Sequence, residues 1–319
     1  MSELPTDALT GRLRRAGDVA AAHDVDLLLV TPGTDLRYLI GAEAGSHERL
    51  TCLLVPAAGH LAPPAIVVPR LEAPGLATLP LAELGVEVVT WADGEDPHLL
   101  VSDLAGAPSR VAVADSMPAV HVFGLRDALP EVKFTLAGPV LRELRMRKDA
   151  AEVAQLRDAA AAIDRVHARM AEFLRPGRTE AQVGADIAAA IVEEGHAGAA
   201  FVIVGSGPNG ASPHHDVSER VIENGDVVVV DIGGPLPGGY YSDCTRSYAV
   251  GSAPGADVQA AYAVLQDAQE RAVQAVRCRN RSPSPASVSS RRAAASTSSA
   301  VTPGRTACTA RSWASCSTA

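Results

Sequence analysis

The chain has 319 residues, a hydrophobic fraction of 47% and a formal net charge of -9. That length favours two domains, and the apolar content lies well above the disordered range. The acidic balance argues against general binding to nucleic-acid backbones, which takes a basic surplus. No basic stretch followed by an apolar run opens the chain, so no signal peptide is expected. No apolar run approaches membrane-span length, and a cytoplasmic protein is expected. The five cysteines, Cys52, Cys244, Cys278, Cys308 and Cys316, form no CxxC pair, so neither a disulfide framework nor a cysteine zinc site is expected.

Leu9 to His23 has a helical pattern. Asp26 to Thr31 reads as a buried strand stopped by Pro32-Gly33. Leu36 to Ile40 is a short apolar segment before Gly41. Further strands are predicted at Leu50–Val55, Ala65–Val68, Val86–Trp91, Val111–Ala114 and Lys133–Leu136, with Pro- and Gly-containing turns and helical patches between them. Alternating strands and helices predict an α/β layer domain. His47, His60, His98 and His121 are each isolated from other ligand-type residues and are read as surface or packing residues.

From Arg142 the charge density rises and a long helical pattern begins. Val153, Leu156, Ala160, Ile163, Val166, Met170 and Phe173 recur at spacings of three and four and make one apolar face. Pro176-Gly177 stops that helix. Thr179 with Gln182 predicts a capping box for the next one, which Gly195 ends. His167 and His196 are expected on solvated positions. Phe201–Val204 is a strand running into a glycine-rich loop. The loop's glycine spacing does not fit a dinucleotide fingerprint, and Pro213 comes too soon for a following helix.

The chemistry-bearing stretch runs from Phe201 to Gly251. Asn224-Gly225 makes a turn, and Val227 to Val230 form a strand ending in Asp231. A carboxylate ending so apolar a run is costly unless it is paired or metal-bound. The competing reading is that Asp231 caps a Gly233-Gly234 turn. A second strand, Tyr240–Val250, can form a hairpin with the first and carry Asp243 to the same face as Asp231. Two such carboxylates repel unless a cation lies between them. Hard oxygen ligands favour Mn, Mg or Ca, and a mixed carboxylate–imidazole set also suits Zn, Co or Fe. Two-metal sites hydrolyse amide or phosphate bonds by activating water and polarising the scissile group. Thr245 and Tyr241 are candidates to orient the carboxylates. His214 is either a loop histidine without a partner or a donor to charge developing on a substrate carbonyl. Its neighbour His215 is expected to point elsewhere.

On Arg145–Asp149, Pro213-His214, Asn224-Gly225-Asp226, Asp231-Ile232-Gly233 and Ser242-Asp243-Cys244-Thr245-Arg246, the chain resembles the pita-bread metallopeptidases, in the aminopeptidase P/prolidase branch. The resemblance spans roughly Leu9 to Arg277. It implies an α/β creatinase-like N-terminal domain over residues 1–143 and a partial pita-bread α+β catalytic domain over 144–277. It implies that Asp231 binds one metal terminally, that Asp243 bridges two divalent ions, and that His214 contacts substrate at the scissile bond. Manganese or cobalt is the expected metal, with zinc as an alternative. Peptides with proline in the second position are the expected substrates, a homodimer is the expected assembly, and neither nucleic acid nor membrane is an expected partner. The loop between the aspartates is slightly longer than the commonest family spacing, which Pro235–Gly239 can absorb.

Asp257 to Arg277 reads as a helix with Val258, Ala261, Tyr262, Leu265, Ala268, Ala272 and Val276 on its inner side. In the family a Pro-Gly, more helices, a histidine and two glutamates follow and complete the ligand set. Here Cys278 to Ala319 contains no Asp, Glu, His or Lys. Such composition does not build a core, and residues 278–319 are expected to form a non-homologous, disordered tail. With two of the family's five ligands, weak metal binding and impaired hydrolysis are implied. A non-catalytic binding protein on the same fold and a creatinase-like amidinohydrolase remain alternatives. The break at Arg277 reads as a change of reading frame. Translating the gene in its other two frames beyond that codon is expected to restore a Pro-Gly helix start followed by His and Glu motifs; if neither frame does, the frame change is refuted.

Overall fold

The computed structural model describes residues 5–42, 48–60 and 62–276, together with the backbone of 314–316. The chain divides into two compact units, residues 1–150 and 151–319.

In the first unit, helix α1 (Thr6–Ala22) leads into strand β1 (Leu27–Val30). The short segment before Gly41 is a helix, α2 (Thr34–Ile40), ended by Gly41 in the left-handed conformation at φ 78°. Strands β2 (Cys52–Pro56), β3 (Ala65–Pro69), β4 (Glu87–Trp91), β5 (Arg110–Val113) and β6 (Lys133–Leu136) complete one sheet, in the order β4-β3-β2-β1-β5-β6. β2 runs antiparallel to β1 and β3, while β3–β4, β1–β5 and β5–β6 are parallel. All four residues of β1 are buried, as a central strand covered on both faces requires. Helices α3 (Pro97–Ala105), α4 (Ala119–Ala128) and α5 (Gly138–Met146) complete the layers.

His98 and His121 are not isolated as expected: His121 is buried, their ring nitrogens lie 3.3 Å apart between α3 and α4, and His98 Nδ1 lies 3.2 Å from Asp96 Oδ1. His47 lies outside the described residues. Cys52 and Cys244 are buried, and burial raises the Cys52 thiol to about 12.

The second unit packs helices α6 (Ala150–Ala168), α7 (Met170–Phe173) and α8 (Glu180–Glu193) on one face of a sheet. That four-stranded sheet contains β7 (Phe201–Ser206), β8 (Val227–Pro235) and β9 (Tyr241–Val250), with β8 antiparallel to both its neighbours, and a short fourth strand beside β9. Ile163, Val166, Met170 and Phe173 from the predicted helical stripe meet Val183, Ile187 and Ile191 of α8, and both sets face Val228, Val230 and Ile232 of β8. The capping box on α8 forms with both reciprocal hydrogen bonds. At its other end Gly195, at φ 104°, donates its N–H to Val192 O, and His196 N–H reaches Ile191 O, the paired bonds of a Schellman ending. A 3-10 turn over Gly207–Ala211, rather than an α-helix, follows β7.

Two expectations need correction. Gly233 and Gly234 lie inside β8, so Asp231 caps no Gly-Gly turn; the chain reverses over Leu236–Tyr240. Helix α9 (Ala256–Ala275) forms, yet none of its residues is buried among the described residues, and Leu265 and Val276 of its expected inner side are 62% and 82% exposed. Its apolar spacing satisfies the helical period, but of that side only Val258 and Tyr262 are half-buried. Of the expected disordered tail, only the backbone of 314–316 lies among the described residues, as a short strand β10 parallel to β9.

The glycines in β8 answer to close backbone approach. A Cβ on Gly234 would stand 2.2 Å from the Gly198 carbonyl oxygen. Gly234→Ala is therefore expected to destabilise the second unit by roughly 1–3 kcal/mol in urea unfolding, the range for forcing extra volume into a packed site. An unchanged midpoint would refute the close approach.

Candidate metal centre

The Asn224-Gly225 turn, with Gly225 at φ 94°, launches the β-branched run Val227–Val230 into β8. Pairing with β9 sets Asp231 opposite Thr245, Ile232 opposite Cys244 and Gly233 opposite Asp243. Opposed residues share a face, so Asp231, Asp243 and Thr245 project together while Ile232 and Cys244 turn into the core. Asp231 is half-buried and Asp243 exposed. The Thr245 hydroxyl donates to Asp231 Oδ1 at 2.6 Å, which fixes one carboxylate oxygen and leaves the other free to bind. Tyr241 lies two pairs further along, opposite Pro235 on the same face, and is 53% exposed. Diagonal neighbours on one sheet face stand about 7–8 Å apart, near enough for two carboxylates to reach a common ion or ion pair. The oxygen donors fit a hard divalent ion in kind. They fall short in number: no group of three or more His, Cys, Asp or Glu suited to a metal occurs among the described residues.

His214 is exposed on the loop after the 3-10 turn. His215 does point elsewhere, into the protein, where its Nε2 lies 2.7 Å from Glu180 Oε2. Glu180 is wholly buried at the start of α8. It accepts from the Ser206 N–H and hydroxyl (2.7 and 2.6 Å), the Asn209 amide (3.1 Å) and the Ser218 hydroxyl (2.6 Å). Burial opposes its ionisation, but the hydrogen bonds from Ser206, Ser218 and His215 outweigh burial and bring the carboxyl down to about 2. The Arg220 guanidinium reaches the Ser206 hydroxyl at 2.6 Å and grips both oxygens of Asp226. Nothing in the sequence singles out Glu180 beyond its place as an acidic residue in the first turn after a capping threonine.

The model of metallopeptidase family M24 matches residues 154–298, and that of the creatinase/prolidase N-terminal domain matches residues 12–147. The metallopeptidase match thus runs past Arg277 into the segment expected to be non-homologous. The chain is 55% identical over 274 residues to a probable dipeptidase PepE of Mycobacterium tuberculosis, covering 85% of this chain and 72% of that relative. The chain belongs to metallopeptidase family M24. The crystal structure of dipeptidase PepE from Mycobacterium ulcerans superposes with a TM-score of 0.81 at 54% identity, over 86% of this chain and 73% of that one. A prolidase from Thermococcus sibiricus gives 0.73 at 33% identity, over 83% and 71%. The creatinase-like N-terminal domain and the pita-bread architecture follow from these matches.

In this M24 chain, two histidines expected in solvent are buried. His167 is 3% exposed and His196 4%. His167 continues the Ile163, Val166, Met170 stripe at helical spacing, a signal that could have placed it inside. His196 occupies the position after a Schellman glycine, where an inward contact is common. Both pin β9 from behind the aspartates. His167 bridges the Tyr248 hydroxyl (2.8 Å) and the Cys244 carbonyl (3.1 Å), and His196 bridges the Ile191 carbonyl and the Ser242 hydroxyl (2.8 Å). A carbonyl only accepts, so His167 Nε2 carries the proton and Nδ1 accepts from tyrosine.

Burial lowers the His167 imidazole to about 4, and it lowers His196 in the same direction. The unfolded chain therefore binds these protons first. The stability His167 contributes is full above its ordinary value of 6.5 and is lost as pH falls towards 4. Glu180, depressed from 4.5, loses its contribution only at lower pH. Between pH 7 and 5 the second unit is expected to lose roughly 1–2 kcal/mol through His167, read as a fall in urea midpoint. His167→Gln should show a flatter slope over that window, and equal slopes would refute the assignment.

Proposed function

We propose that Asp231 and Asp243 are the first two side-chain ligands of a dinuclear site of the Xaa-Pro dipeptidase type, and that His214 faces the scissile bond. The observation that carries this is the shared outward face of Asp231, Asp243 and Thr245 on a hairpin whose alternate residues are buried. It is supported by relatives named Xaa-Pro dipeptidase, such as that of Lactobacillus helveticus, 26% identical over 260 residues.

A bound pair of divalent ions, manganese or cobalt in this proposal, supplies Lewis-acid polarisation of the scissile carbonyl and acidification of water. The chain's own residues do the rest. Thr245 holds the Asp231 carboxylate in one orientation. Asp243, on the more exposed strand, would hold the ions together with Asp231. His214 donates an N–H to the oxygen on which negative charge develops. The substrate is a small peptide with proline in second position.

Residues 278–319 contain no acidic residue or histidine, so that segment supplies neither the family's remaining ligands nor a glutamate to move the proton. Hydrolysis by this chain is accordingly impaired.

Purified protein loaded with Mn2+ and then dialysed is expected to keep less than one equivalent of metal and to show no turnover of Xaa-Pro dipeptides above background. Asp231→Asn and Asp243→Asn should each weaken Mn2+ binding by more than the about 10–100-fold that loss of an outer-shell partner costs. Efficient turnover would overturn the impairment. Mn2+ binding unchanged in both variants would overturn the site.

A further inference from the structure

One buried carboxylate organises the loop that carries His214. Upstream of His214, Glu180 takes the Ser206 N–H and hydroxyl and the Asn209 amide; downstream it takes His215 and Ser218. The loop is thus held at residues 206, 209, 215 and 218 by a single side chain on α8. Its 3-10 turn lies over the outward face of β8: a Cβ on Gly210 would contact the Val229 side chain at 3.4 Å. Val229 is two residues before Asp231 and shares its face. The neighbouring histidines divide the work. His215 turns inward to a carboxylate that can only accept, so its Nε2 carries the proton, and His214 is left exposed.

We infer that Glu180 and His215 are positioning residues, which fix the loop so that His214 stands over the Asp231/Asp243 face. The inference rests on the proposed role of His214 at that site but concerns the loop's placement, which needs neither metal nor substrate to observe. Burying a carboxylate with this many donors around it is costly to assemble and fails if one donor is lost, which suits a fixed loop better than a mobile one.

The test compares the full chain with His215→Phe, which keeps a planar ring but removes the donor, and His215→Gln, which restores an N–H. In amide hydrogen exchange, His215→Phe is expected to speed exchange across 207–218 by about tenfold or more, the size of losing one hydrogen bond to a charged acceptor. Residues 227–235 should keep their protection, and His215→Gln should return the loop towards wild type. Unchanged exchange in His215→Phe, or equal acceleration throughout the second unit, overturns the inference.

A second readout uses Mn2+ as a relaxation probe in histidine side-chain NMR. Broadening of His214 that is lost in His215→Phe and regained in His215→Gln supports the placement. Broadening of the Asp231 and Asp243 amides without His214 in the wild type overturns it. If Mn2+ broadens neither, the metal site itself has failed, and the exchange result alone decides the loop.

Discussion

The antiparallel register between β8 and β9 is the constraint on which the candidate site depends. Because side chains alternate along a strand, pairing Ile232 with Cys244 commits Asp231, Asp243 and Thr245 to one face. A slip of one residue would put the two carboxylates on opposite faces, turning one of them into the apolar layer formed with α6 and α8. The register is held because Val228, Val230, Ile232, Tyr248 and Val250 all find buried partners only in this alignment. Gly233 and Gly234 reinforce it, since larger residues there would collide with neighbouring carbonyl oxygens.

Buried polar groups supply what apolar packing leaves loose. Hydrophobic contact fixes the face of a strand but tolerates small shifts along it, whereas a hydrogen bond in a low-dielectric interior does not. His167 and His196 hold Cys244 and Ser242, the residues on either side of Asp243. Glu180 holds the loop before β8, and Arg220 ties that same network to Asp226 at the foot of the strand. The carboxylate face is thus braced from the core side by groups that never reach it.

Much of this was legible in the chain. The strands of the first unit fell within a residue or two of their observed limits, because short apolar runs bounded by Pro and Gly leave few alternatives. The capping box of Thr179 and Gln182, the stop at Gly195 and the hairpin carrying Asp231 and Asp243 were read from local pattern alone. The misses share a cause. His167 and His196 were assigned to solvent from residue type, while their positions on a helical stripe and after a Schellman glycine placed them inside. For α9 the error ran the other way: periodicity gave the helix correctly, but an apolar face in sequence does not say how deeply it is buried.

The sequence by itself determined the elements, the turn chemistry and which residue types could carry the chemistry, because these depend on neighbours within a few positions of the chain. Only the tertiary structure decided that Glu180 is the centre of the His214 loop, since its four partner residues lie 26 to 38 positions away. It also decided that the two aspartates, twelve residues apart in the chain, share one face with Thr245. Both facts arise from pairing and burial across distant segments, where the cost of an unsatisfied polar group selects one arrangement from the many that local pattern allows.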